Sequence, residues 1–442
     1  MKKATIAIAA FAFYALGCRG QDLLTLDQAV AMALDNNRGI RTSTLDILKA
    51  QENLKANWTH VLPSFSLNAL GAQQLQSFDF TLQKGVLGSY PGTGPLPAND
   101  VHLKTPREPT GVIVGKVSQP LTSLIRIRRN LDTLRTAVEL AREQTRVNKQ
   151  TVVRDVKHAY YAIQQVESGL ESARETVALY KELGRLTENY VAGKVVLQSE
   201  LLEVMTHLAK AEQSASLLDD QHSAAREQLN QLLGRDVLIP FQVEPVLDTA
   251  AARLDLDTAR RRALAQRPEI RQAELRRVHA EEDLRAKKAE SIPDVAAEVN
   301  TLNFLNYGQF FPSHSNSVGF SVTWEPFDWG RKRHEAAERQ YSVGQARNSQ
   351  QDAINAVIVD INDKYRRVRQ SEIQLRVARL AQQTAVESLR VTKNKFAVDA
   401  VLLKDVLQGQ LNLEQSNSDY QQALISVCNS RADFERALGE DQ

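Results

Sequence analysis

The residues able to do chemistry are few and dispersed. The eight histidines do not cluster, and the three methionines, Met1 included, form no His/Met group that would hold a soft metal. His334-Glu335-Ala336-Ala337-Glu338 begins like a zinc-protease helix but lacks the second histidine, four residues on, that would complete the ligand pair. No Gly-x-Ser-x-Gly elbow or phosphate-cradling glycine loop is present. The sequence is read as non-enzymatic, with no catalytic residue, no metal site and no cofactor. The 55 basic and 53 acidic residues leave a formal charge of +2, which gives no reason to expect nucleic acid as a partner.

The first residues read as an export signal. Lys2 and Lys3 precede an apolar run from Ala4 to Leu16 that is too short to anchor a chain across a bilayer. Ala15-Leu16-Gly17 suits cleavage before Cys18, so residues 1–17 are expected to be a signal peptide. Gly17-Cys18 also resembles a lipobox, although Ala15 stands where leucine is usual, and Cys18 is therefore a candidate for lipidation. The other cysteine, Cys428, lies deep in a helical stretch and reads as packing rather than as half of a disulfide.

The elements that must position any functional group follow from proline and from repetition. All thirteen prolines fall in three windows, Pro63 to Pro120, Pro240 to Pro268 and Pro293 to Pro326. Because proline breaks helix interiors, long helices are confined to the stretches between and beyond them. The sequence also repeats. Shifted by 230 residues, Leu24 to Pro63 matches Leu254 to Pro293 at 14 of 40 positions without a gap. Farther on the offset is 205, pairing Tyr160 with Tyr365 and Leu233-Gly234 with Leu438-Gly439. The first repeat is expected over 22–245 and the second over 250–442.

Each repeat opens with a helix, for which Asp27 and Asp257 are N-cap candidates. A break follows at Asn36-Asn37-Arg38 or Gln266-Arg267-Pro268, and the helix then restarts. The apolar period next changes from helical to two, predicting strands near 63–74 and 111–120 and near 294–303 and 317–326. Gly88 to Pro95, between the first pair, reads as a loop without helix or strand. Phe304, Tyr307, Phe310 and Phe311 in the second connector, with Trp324 and Trp329, are candidates for aromatic girdles at a membrane interface. Helical hairpins are predicted over 121–234 and 327–439. Their return arms carry three-four spacing, as in Leu201, Val204, Leu208 and Ala211, or Val406, Gly409, Leu413 and Ser416.

Four strands cannot stand alone in hydrocarbon, because their open edges would leave backbone groups unpaired. Closure needs more than one copy, and three copies would supply twelve strands and twelve long helices. The chain resembles the TolC-like outer-membrane efflux family. The resemblance is carried by Leu24-Thr25-Leu26-Asp27-Gln28-Ala29, Asn36-Asn37, Arg267-Pro268-Glu269-Ile270, Gln119-Pro120-Leu121 and Trp324-Glu325-Pro326-Phe327. Tyr190-Val191-Ala192-Gly193, Glu200-Leu201-Leu202 and Lys404-Asp405-Val406-Leu407 add helical-tip motifs. It implies a fold that is mostly α with a membrane β part: a trimeric 12-stranded β-barrel continued by a periplasmic α-helical coiled-coil barrel. The implied function is a passive exit duct for small molecules, drugs and toxic compounds among them, opened by a periplasmic adaptor and an inner-membrane pump of RND or ABC type. The implied location is the outer membrane of a Gram-negative-type bacterium, in contact with its lipid.

The resemblance also implies that the tips form a gate. Gly193 keeps the family's turn glycine, whereas the second repeat has Val398-Asp399 there. Glu200 and Asp405 align across the repeats, and Asp399 and Asp405 are candidates for lining the inner mouth, where three copies would favour cations. Solvated charges on the outside are the competing reading. A soluble coiled-coil scaffold would explain the heptads but not the strand pairs or the proline windows. An exit duct for type I protein secretion would keep the fold and change the cargo.

Overall fold

The computed structural model describes residues 23–440 except 74, 78, 105–106, 195, 246–254, 307–311, 397 and 399. The export signal, Cys18, Tyr307, Phe310, Phe311 and Asp399 lie outside the described residues.

The first repeat runs β1 (Leu23–Leu24), α1 (Leu26–Asn36), α2 (Arg38–Trp58) and a 3-10 turn (Thr59–Val61). It continues with β2 (Ser64–Gln73), β3 (Asp79–Leu82), β4 (Ser89–Tyr90), β5 (Gly94–Pro95), β6 (Val101–Lys104) and β7 (Pro109–Pro120). It closes with α3 (Leu124–Ala192) and α4 (Gln198–Leu232). After β8 (Gln242–Val243), the second repeat runs α5 (Leu256–Gln266), α6 (Pro268–Ala289), β9 (Asp294–Leu305), β10 (His314–Thr323), α7 (Arg331–Phe396) and α8 (Leu403–Leu438). Each repeat is thus a strand pair followed by a helical hairpin whose first arm, 69 residues in α3 and 66 in α7, is about 100 Å long at 1.5 Å per residue.

The opening helices are capped two residues earlier than the sequence suggested. Thr25 and Asp255, not Asp27 and Asp257, hold the extended cap conformation and accept from the backbone N–H groups of Gln28 and Thr258. Asp27 and Asp257 instead sit in the first turn, where a negative charge favours the helix N-terminus without capping it.

The chain forms two compact units. One comprises the described residues through Asp46, Ala141–Ala273 and Gln350 onward; the other comprises Ile47–Leu140 and Glu274–Ser349. The first unit holds two cores built from equivalent positions of the repeats. Ala29, Ala33, Val156, Ile163, Leu229 and Leu233 are buried in one. Ala259, Ala263, Ile361, Val368, Phe434 and Leu438 are buried in the other. In the first core the Tyr160 hydroxyl lies 2.8 Å from the Leu24 carbonyl oxygen and accepts the Glu244 N–H at 2.9 Å, fastening the parallel β1–β8 pair.

The helix breaks serve as joints. Asn37, buried, donates to the Leu232 carbonyl at 2.8 Å and accepts from Gly39 N–H at 2.8 Å, so one side chain ends α4 and starts α2. In the second repeat Arg267, also buried, takes this place. Its guanidinium meets Glu269 at 2.8 Å and Asp360 at 2.5 Å. Burial works against the charges of Arg267 and Glu269. Their mutual hydrogen bonds outweigh it, raising the arginine's pKa and holding the carboxyl below its ordinary range. Gly234 and Gly439 close on these breaks with left-handed φ of 71° and 79°. A Cβ on Gly234 would stand 2.3 Å from the Asn36 carbonyl oxygen, and one on Gly439 would stand 2.9 Å from Arg267 N.

The second unit holds a four-stranded antiparallel sheet, ordered β10-β9-β7-β2. The inner strands of the two repeats pair with each other, from Gly111 opposite Leu305 to Pro120 opposite Ala296. The connector between β2 and β7 is not a bare loop. β3 pairs with β6, and β4 pairs with β5 inside the segment from Gly88 to Pro95.

Gly234→Ala combines the left-handed penalty with a backbone collision, and should cost roughly 2–4 kcal/mol in denaturant unfolding of the detergent-solubilised protein. Asp433 lies 3.0 Å from Lys364 Nζ and at an ion-pair distance of 3.1 Å from His158 Nε2. Burial opposes its charge, but these two neighbours prevail and hold its pKa at about 2. A carboxyl lowered on folding adds stability that is fully present above its unfolded value, about 4, and is lost as pH falls through about 2. Asp433→Asn should therefore remove about 1–2 kcal/mol at neutral pH, after allowance for solvent screening, and flatten the acid limb of the stability curve.

Candidate functional site

The sheet presents two different faces. Side chains alternate along a strand, so the register sorts them. Phe65, Val117, Val299 and Val318 stand in one cross-strand row. Ala297 and Phe320, then Val295 and Val322, continue the same face. Phe65, Leu67, Val318 and Phe320 are 79%, 75%, 83% and 76% exposed, an apolar surface of the kind that needs a cover. The other face carries Ser66 beside Lys116, with Asn300 and Ser317 completing the row. On that face Lys116 Nζ lies 2.8 Å from Glu298 Oε1, and the Ser321 hydroxyl donates to the same oxygen at 2.6 Å.

Both outer strands are open. Among the described residues β2 pairs only with β7, and β10 only with β9. Each outer strand therefore presents backbone donors and acceptors that no described strand takes up.

Beyond β10 the chain turns through Trp329, which adopts a left-handed φ of 56° and is 88% exposed. Asp328 holds this turn by accepting from Gly330 N–H at 3.1 Å and Lys332 N–H at 2.9 Å, which caps α7. Phe327 packs edge-on against the Trp329 ring, with centroids 4.7 Å apart. Trp324 and Trp329, marked in the sequence as girdle candidates, are thus both displayed to the exterior of the protomer.

At the hairpin tips the structure describes Gly193, Glu200 and Asp405 but not Asp399. Gly193 follows the last turn of α3, its N–H bonded to the Asn189 carbonyl at 3.0 Å. The left-handed residue of this turn is its neighbour Lys194, with φ of 57°. Glu200 and Asp405 occupy the same position, third in α4 and third in α8, and both are exposed. The Asp405 carboxylate accepts the Leu402 N–H at 3.0 Å, while its own N–H donates to the Leu402 carbonyl at 3.0 Å. One acidic side chain thus satisfies a backbone donor that α8 cannot satisfy itself.

Set back from the tips, Tyr180 of α3 stacks on His207 of α4, with centroids 5.6 Å apart and planes 11° from parallel. Val204 of α4 and Leu407 of α8 are buried in the same cluster. Burial, and then the charge of Glu414, push the Tyr180 hydroxyl up to about 12, and burial also raises Glu414. The seam positions of both return arms are buried or half-buried, His222 among them, which meets Glu167 at 3.0 Å.

Sequence reasoning missed the Lys116–Glu298 pair. Its available signal was charge placed inside strand windows that are otherwise apolar or neutral. The Tyr180–His207–Glu414 group left none, because helical spacing does not say which residues of different hairpins meet.

Asp405→Ala should fray the first turn of α8 by removing the Leu402 acceptor, at a cost of about 1 kcal/mol, whereas Asp405→Asn keeps an acceptor. Faster amide exchange at Leu402 in the alanine variant alone is the expected reading.

The family model of outer membrane efflux proteins matches residues 29–235 and again 259–440, once on each repeat. No curated protein sequence matches the chain. Solved structures share the fold at low identity. The outer membrane channel CmeC of Campylobacter jejuni is 14% identical with a TM-score of 0.77, over 94% of this chain and 85% of that one. The outer membrane protein VceC of Vibrio cholerae is 14% identical with a TM-score of 0.73, over 94% and 96% of the two chains. The MtrE outer membrane channel of Neisseria gonorrhoeae, in its open state, is 16% identical with a TM-score of 0.71, over 94% and 88%. The open-edged sheet, the duplicated hairpins and a family match over both repeats lead to one conclusion: the chain belongs to the outer membrane efflux protein family, and it is an efflux protein of the outer membrane rather than an enzyme.

Proposed function

We propose that three copies of the chain close a twelve-stranded barrel in the outer membrane, and that their α3–α4 and α7–α8 hairpins continue it as a periplasmic duct. Small molecules, drugs and other toxic compounds among them, leave through this passive conduit. A periplasmic adaptor and an inner-membrane pump of RND or ABC type open it and supply the energy. Outer-membrane lipid covers the apolar face, and Cys18 is a candidate attachment point for a further lipid.

The observation that carries this reading is the sheet with one apolar face and two open edges. β2 and β10 are 10 residues each and β7 and β9 are 12, long enough to cross a bilayer when tilted. The apolar face is itself slanted. It centres on Leu67 in β2, whose row runs through Gly115 and Thr301 to Asn316, but on Phe320 in β10. That displacement of about four residues, some 13 Å, over three strand spacings totalling some 14 Å corresponds to a tilt of roughly 43°, within the range of closed barrels. Trp324 and Trp329, exposed just beyond β10, would supply an interfacial girdle.

At the tips, Gly193, Glu200, Asp399 and Asp405 are the proposed gate residues. Three copies would bring carboxylates together around the inner mouth, where mutual repulsion and cation preference would act. The cap formed by Asp405 allows charge and capping to be separated. If charge gates the duct, Asp405→Asn and Asp405→Ala should both raise conductance in planar bilayers. An effect of alanine alone would assign the residue to helix capping.

Closure is tested by cysteines placed singly along β2 and β10 in paired variants. Oxidation should link neighbouring copies into covalent dimers and trimers. Absence of any inter-chain product across the whole scan would remove the barrel reading.

A further inference from the structure

Charge on the sheet is confined to one face and is balanced there. Among the described strand residues of the polar face, the charged groups are Lys116, Glu298 and Asp294. Asp294, at the start of β9, pairs with Arg126 at 3.1 Å. Within the strands this leaves Lys116 and Glu298, two residues out of register, with Nζ 2.8 Å from Oε1. Glu298 is held from three sides, because Ser321 of β10 donates to it at 2.6 Å and Ser118 of β7 at 3.5 Å. Its side chain is 14% exposed, against 40% for Lys116. The carboxylate is therefore fixed to the wall, and the lysine is the group that would reach into water if released.

We propose that Glu298 is a specificity-determining residue of the duct: by cancelling Lys116 on the water-facing wall, it keeps the barrel free of a ring of fixed charge. Solutes of either sign, and neutral amphiphiles, then meet no electrostatic barrier in that section. The inference rests on reading the sheet as one third of a closed barrel. Without Glu298, three copies would place three lysines on a wall whose backbone stands roughly 12 Å from the axis, comparable with the Debye length of about 10 Å at 0.1 M salt. Such a ring acts on ions at the axis only at moderate or low ionic strength.

The test is the reversal potential under a salt gradient in planar bilayers, for the full chain and its variants, at about 0.1 M salt and below. Glu298→Gln keeps the hydrogen-bond acceptor and loses the charge. It should shift the anion-to-cation permeability ratio toward anions on the order of threefold, the shift fading toward 1 M. Lys116→Met should shift it toward cations, and the double variant should return to the wild-type value. Ser66→Glu adds charge beside the pair without breaking it and should also favour cations, which keeps the test open if the pair variants fail to assemble. Conducting variants with an unchanged reversal potential would overturn the proposal. Failure of every cysteine pair along β2 and β10 to link neighbouring copies would instead overturn the barrel reading beneath it.

Discussion

Backbone hydrogen bonding at the edges of the sheet constrains everything else in this molecule. A strand in hydrocarbon has no water to satisfy its N–H and C=O groups, and each unsatisfied group costs several kcal/mol. β2 and β10 each leave a full edge unpaired among the described residues, while their exposed side chains are apolar on one face. Water would penalise that face, and lipid would penalise those edges. Only a closed ring of copies removes both costs at once. The proposed closure in turn accounts for an apolar band on one face, for the Lys116–Glu298 pair on the other, and for the slant of that band across the strands.

The duplication makes such a ring economical to build. Both repeats bury equivalent residues: Val156 and Ile361, Ile163 and Val368, Leu229 and Phe434. Both end their return helix on a left-handed glycine pressed against a helix break. The breaks are solved by different chemistry, an asparagine bridging backbone groups in one and an arginine between two carboxylates in the other. The same backbone joint therefore tolerates either a neutral or an ionic key. What it does not tolerate is a side chain at the glycine.

Much of this fold was legible because its signals are periodic or categorical. Proline windows bounded the long helices, the two-residue alternation around Phe65 and Val318 marked strands, and three-four spacing marked the return arms. Less periodic features were harder to read. Asp27 and Asp257 stood out as caps because acids are common there, yet the backbone turns at Thr25 and Asp255, a choice fixed by dihedral angles. The short β4–β5 pair inside a glycine-rich loop depends on main-chain geometry that composition does not record. The Lys116–Glu298 pair joins residues 182 positions apart in different repeats, a meeting decided by the β7–β9 register. At the tips the sequence marked the acidic residues, while the local role of Asp405, holding the Leu402 N–H, follows from three-dimensional placement.

One chain carries too few strands to complete a wall, and identical chains are proposed to share one. Native mass measurement of the protein extracted in mild detergent addresses that sharing most directly. A particle containing three copies of the mature chain is expected. A stable, folded single chain as the sole species would contradict it, because both sheet edges would then have to be satisfied within one protomer.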